Sequence, residues 1–142
     1  MNKNTQINIF IVEDNEVYAR SLQGFLQTCF PNITKINIFR IGELCLMEMD
    51  SNPNIVIMDY FLNSKYEKAL NGLEIIKLIK AQKPQTNIIV LSAQENVSVV
   101  LEAIKQYDCA YVQKNQEAFN KIEQFIKEIL HRKNLRIVEL QN

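Results

Sequence analysis

The stretch "PNIVIMDYFLN", residues 53–63, decides the fold. Its apolar run from Ile55 to Met58 stops at Asp59 and gives way to a loop. Unbroken β-branched runs mark strands covered on both faces, as in a parallel sheet. A second run of this kind, "NIIVL" at 87–91, follows a segment of helical spacing, "NGLEIIKLIKAQ" at 71–82, where Leu73, Ile76 and Ile79 recur. A core strand that finishes on a carboxylate calls for a physical reason.

Working outward, the same alternation continues in both directions. "INIFIV" (7–12) reads as a strand, and "NEVYARSLQGFLQTCF" (15–30) as a helix with Val17, Leu22, Phe25, Leu26 and Cys29 on its apolar side. "TKINIFR" (34–40) alternates polar and apolar residues, the pattern of a half-exposed edge strand. "IGELCLMEM" (41–49) reads as a short core-facing helix that Asn52–Pro53 stops. "ENVSVVLEAIKQY" (95–107) is a further helix, "AYVQ" (110–113) a short strand, and about 116–132 a last helix with a stripe from Phe119 to Leu130. Five strands alternating with five helices predict an α/β fold, a doubly wound parallel sheet with helices on both faces. Residues 1–133 are expected to form the domain, and 134–142 a C-terminal tail, whether linker stub, helix extension or contact segment.

The bulk composition excludes several classes. A chain of 142 residues with 47% hydrophobic and 23% charged residues suits one compact domain with a real core. Lys plus Arg and Asp plus Glu are both 16, so the chain lacks the basic excess expected for nucleic acid or anionic membrane. No apolar run approaches a membrane span, and the polar start "MNKNTQ" is unlike a signal peptide. Cys29, Cys45 and Cys109 are scattered, as reduced thiols in a cytoplasmic setting would be.

In open α/β sheets, ligands bind beyond the carboxyl ends of the strands. Strand one ends in Glu13 and Asp14, strand three in Asp59 and strand four in Ser92, while Lys114 follows strand five. At roughly 4 Å and an effective dielectric near 20, each pair of like charges would cost about 4 kcal/mol. A retained proton relieves this, and so does a bound cation. An open cluster of oxygens suits Mg²⁺, and no His or Cys ligand favours zinc. A carboxylate beside Mg²⁺ and a fixed ammonium is a nucleophile towards phosphorus, so Asp59 is placed to become a phosphoaspartate.

Each residue also has a plainer role. Asp14 or Asn15 can cap the first helix, Ser92 the fourth, and Lys114 can be a surface lysine. Tyr111 can be a packed strand aromatic, His131 a helix-end residue favouring the dipole, and "KYEK" (65–68) solvated charge. Joint placement at one end of one sheet favours the functional reading.

These residues resemble the response-regulator receiver domains of two-component, or phosphorelay, signalling. The matching features are "IVEDN" (11–15), "IVIMDYFL" (55–62), "GLEIIKLIK" (72–80), "VLSA" (90–93) and "AYVQK" (110–114), in the family's order over nearly the whole chain. The resemblance implies a flavodoxin-like sheet of order 2-1-3-4-5. It implies that Glu13, Asp14 and Asp59, with the backbone carbonyl of Phe61, hold Mg²⁺. Asp59 would accept phosphate from a sensor histidine kinase or His-phosphotransfer protein, with Lys114 binding the phosphate and Ser92 and Tyr111 forming the switch pair. The chain is expected to be a signalling switch, catalysing only its own phosphorylation and dephosphorylation. A downstream effector or appended output domain would read the surface of helix four, strand five and helix five, which could also form a homodimer.

Two departures from the family pattern stand out. Asn115 follows Lys114 where the family usually has Pro, so this junction is expected to be trans or rearranged. Gly72 lies 13 positions after Asp59, longer than usual, and "NSKYEKAL" (63–70) fills the gap. A phosphate-independent interaction module of the same architecture is the alternative. A flavin or nucleotide enzyme is disfavoured, because only three glycines are present and none forms a phosphate cradle after strand one.

Overall fold

The computed structural model describes residues 6–31, 34–60, 71–93 and 98–141. The strands are β1 (Ile7–Val12), β2 (Thr34–Phe39), β3 (Ile55–Asp59), β4 (Asn87–Ser92) and β5 (Ala110–Gln113). The helices are α1 (Glu16–Cys29), α2 (Gly42–Met47), α3 (Gly72–Gln82), α4 (Ser98–Lys105) and α5 (Ala118–Gln141). All strand pairings are parallel and the order is β2-β1-β3-β4-β5, as expected.

The period of two along each strand sorts the core into two layers. Ile7, Ile9, Ile11, Ile55, Ile57, Ile89, Leu91 and Val112 pack under α1 and α5, against Leu22, Leu26, Ile122 and Ile126. Phe10, Val12, Val56, Met58, Ile88 and Val90 face α2, α3 and α4, where Cys45, Ile75, Ile76, Ile79, Val100 and Ile104 meet them. Every residue of β3 is buried, so this strand lies at the centre of both layers. Each fully buried Ile or Val contributes about 1.5–3 kcal/mol, which makes β3 the element least tolerant of truncation.

Local signals set the element ends. Asn15 caps α1 by accepting from Tyr18 N, and Asn71 with Glu74 closes a capping box on α3. Asn52, at φ 57°, turns the chain in the left-handed region after the short helical turn Met49–Ser51. A Cβ on Gly72 would stand 2.6 Å from the carbonyl oxygen of Tyr60, so the return of the chain to β3 requires glycine.

Some expectations are corrected. Val17 and Met47 are 76% and 75% exposed, so neither belongs to the core stripe of its helix. In α2 only Gly42 and Cys45 are buried, so the segment from Leu44 to Met49 is only partly core-facing. His131 is not at a helix end, because α5 continues to Gln141, the helix extension among the readings of 134–142. Residues 63–68, with their "KYEK" charges, lie outside the described residues.

Candidate functional site

Three strand ends deliver the acidic groups. Glu13 follows β1, is 1% exposed, and its backbone N–H bonds to Phe39 O at 2.9 Å. Asp14 is half-buried beside it, and Asp59 closes β3 at 8% exposure. One carboxylate oxygen from each of Glu13, Asp14 and Asp59 lies within 4.8 Å of the others. Period two explains part of this: Glu13 and Asp59 continue the parity that points Ile9, Ile11, Ile55 and Ile57 towards α1 and α5.

Lys114 has the matching parity after Ala110 and Val112, and it enters the cluster. Its Nζ donates to Glu13 Oε1 at 2.5 Å and to Asp59 Oδ2 at 3.1 Å. The Lys114 backbone N–H donates to Ser92 O at 2.8 Å, which ties the lysine to the neighbouring strand end. Its peptide bond to Asn115 is trans, as expected. Asn115 uses its side chain instead of a fixed ring: its Oδ1 accepts from Glu117 N at 2.9 Å, an Asx turn leading into α5.

The charges are perturbed accordingly. Burial pushes the Glu13 carboxyl above its usual range, against the lowering pull of Lys114 and of the Asn15 N–H, which donates to Oε2 at 3.1 Å. Burial disfavours the Lys114 ammonium, but Glu13 and Asp59 outweigh it and the pKa is raised. The cluster brings three acids together with Lys114, whose ammonium bonds to two of them.

Ser92 is fully buried at the end of β4 and takes the opposite parity, towards α4. Tyr111 packs on that same layer. Its hydroxyl oxygen is buried and makes no hydrogen bond of ordinary geometry. The Ser92 side chain is nonetheless its polar neighbour, partly offsetting the rise that burial imposes on the phenol. Phe61 lies outside the described residues. Of the residues expected at one rim, Glu13, Asp14, Asp59 and Lys114 meet directly, and Ser92 closes the adjacent strand β4, with Tyr111 on the layer that faces α2, α3 and α4.

Tyr18 was not anticipated from sequence. It stands one helical turn after Asp14, and Lys114 Nζ sits 4.3 Å from its ring centroid. That spacing from Asp14 was the available signal.

A doubly wound parallel sheet with an acidic cluster at the carboxyl ends of its central strands defines a flavodoxin-like domain with an acidic rim. A family model for the response regulator receiver domain matches residues 9–139, and the chain belongs to that family. Among solved structures, the response regulator TrrA from Thermotoga maritima, in complex with Mg²⁺ and a beryllium fluoride, is 25% identical. It has a TM-score of 0.72 and covers 87% of this chain, which covers 99% of TrrA. The BeF3-activated receiver domain of DrrB is 24% identical with a TM-score of 0.71, covering 89% of this chain and 98% of that one. The signal receiver domain of an HD domain-containing protein from Pseudomonas fluorescens is 20% identical with a TM-score of 0.75, over 96% of both chains. A comparison with curated proteins finds no match. Among the described residues no helix is long and apolar enough to cross a membrane.

Proposed function

We propose that this receiver domain takes a phosphoryl group on Asp59, with Glu13, Asp14 and Asp59 holding Mg²⁺. The observation that carries the reading is the meeting of three carboxylates within 4.8 Å, with Lys114 Nζ 3.1 Å from Asp59 Oδ2. The donor set fits the ion: it is all hard oxygen, without sulfur or imidazole. Phe61, through its carbonyl, is proposed as a further ligand. When bound, the ion neutralises charge on the cluster and on phosphoryl oxygens.

The protein's own groups perform the rest. Asp59 attacks phosphorus as the P–N bond to a donor histidine breaks, and the imidazole leaves with its electron pair. Lys114, which already lies beside Asp59, donates to one phosphoryl oxygen, and Ser92 moves to donate to another, so that the charge is met by the protein's own donors. The donor would be a histidine kinase or phosphotransfer protein. Ser92 moving towards the phosphate would open space for Tyr111, changing the surface of α4, β5 and α5 that an effector, an output domain or a second copy reads. Such a switch requires two arrangements within a few kcal/mol. The unit is proposed to span 1–133, to act in the cytoplasm, and to catalyse only its own phosphorylation and hydrolysis.

Incubation with Mg²⁺ and acetyl phosphate, followed by intact-mass measurement, tests this. One phosphoryl adduct is expected on the wild type and none on Asp59→Asn. An unmodified wild type, or an equal adduct on the variant, would remove the reading in favour of a phosphate-independent interaction module.

A further inference from the structure

Tyr18 reaches the acidic site from α1 and is braced from α5. Its ring meets Phe119 edge-on, at 5.4 Å and 73°, and Phe119 leans on Phe25 at 5.4 Å. The Tyr18 hydroxyl is buried and has no hydrogen-bond partner, so what it offers Lys114 is the π face. A buried hydroxyl left unpartnered stabilises nothing by itself. The ring is the useful part.

We propose that Tyr18 is a positioning residue for Lys114, an inference that rests on the phosphoacceptor reading. Lys114 is otherwise held by Glu13 and Asp59, the same carboxylates proposed to bind the ion. Once those charges are neutralised, the electrostatic hold on the ammonium weakens. The quadrupole of an aromatic ring has no net charge to neutralise, so the hold from Tyr18 persists. A second feature gives such an anchor more to do. Asn115 follows Lys114 through a trans bond, without the rigid ring that proline would supply. Tyr18 keeps the lysine over the rim while the acids change partners.

The test compares wild type, Tyr18→Phe and Tyr18→Leu for the second-order rate of phosphorylation by acetyl phosphate with Mg²⁺. Tyr18→Leu is expected to be slower by about three- to thirtyfold, and Tyr18→Phe, which keeps the ring, to recover the rate to within about twofold. On a Lys114→Met background, Tyr18→Leu should add no further loss. Proton NMR of the metal-free protein supplies a readout independent of phosphorylation. The Lys114 side-chain methylene protons should be shifted upfield by the ring in wild type and Tyr18→Phe, and not in Tyr18→Leu. Equal rates for Leu and wild type would overturn the proposal, as would a Phe variant as slow as Leu. Lys114 methylenes without an upfield shift in the wild type would overturn it without any variant, should Leu fail to fold. A wild type that takes no phosphoryl group fails the phosphoacceptor reading, whereas the NMR result decides the ring contact separately.

Discussion

The two ends of the sheet are built from the same strands and solve opposite problems. At the amino end, amide, hydroxyl and backbone groups satisfy one another, joined by the ammonium of Lys80. Asn54 Oδ1 accepts from Asn8 N at 2.8 Å, Asn54 N donates to Asn8 O at 2.8 Å, and Asn54 O accepts from Asn87 N at 3.0 Å. Thr86, 3% exposed, donates to Pro53 O at 3.4 Å, and its own carbonyl accepts from Lys80 Nζ at 2.8 Å. Among these groups only Asn8 Oδ1 is buried without a partner. At the carboxyl end, three acids cluster, and one lysine bonds to two of them, Glu13 and Asp59. A matched polar network ties loops to strands, whereas like charges gathered at one rim repel one another unless a proton or a cation relieves them. The imbalance, rather than burial alone, distinguishes the candidate site.

That contrast can be broken most sharply at Lys114. Lys114→Met strands the buried Glu13 carboxylate and should lower stability at neutral pH by about 3 kcal/mol, measured by chemical denaturation. Added Mg²⁺ should restore more stability to this variant than to the wild type, since both cations answer the same acids. A variant as stable as the parent would mean that the carboxyl rim is not strained. At the amino end, Asn54→Ala leaves Asn8 N without its acceptor. A loss of about 1–3 kcal/mol is expected, with no Mg²⁺-dependent recovery. Recovery there would erase the distinction between the two rims.

The smallest effect is a slope. Because burial raises the Glu13 pKa in the folded state above the ordinary 4.5, the native protein binds more protons than the unfolded chain in the window just above that pH. This contribution to stability is therefore complete below 4.5 and is lost as pH rises through the folded value. Glu13→Gln should flatten the stability curve in that window relative to wild type. A parallel curve would show that Lys114 compensates the buried charge completely. Lys114 behaves alike at the alkaline end: its raised pKa means stability present below 10.5 and lost as pH rises through the folded value.

Much of this was legible in the chain. The apolar runs at 55–58 and 87–91 report burial on both faces, and β3 is buried throughout. The acids follow those runs, so a parallel sheet collects them at one edge. Helix detail was less legible. Val17 and Met47 fit an apolar spacing but face outward, because a period shows which residues align and not whether a partner covers them. His131 was misplaced because helical pattern fades in the polar stretch beyond Leu130 while the backbone of α5 continues. The role of the long segment 63–70 falls outside the described residues.

Sequence by itself determined the alternation of strands and helices, their parallel sheet, and the acidic strand ends, because each follows from periods and propensities within a few residues. Only tertiary structure decided that Lys114 reaches Glu13, 101 positions away, and that Tyr18 lies against its ammonium. Those contacts depend on how α1 and α5 settle together over one face of the sheet, which no local pattern specifies.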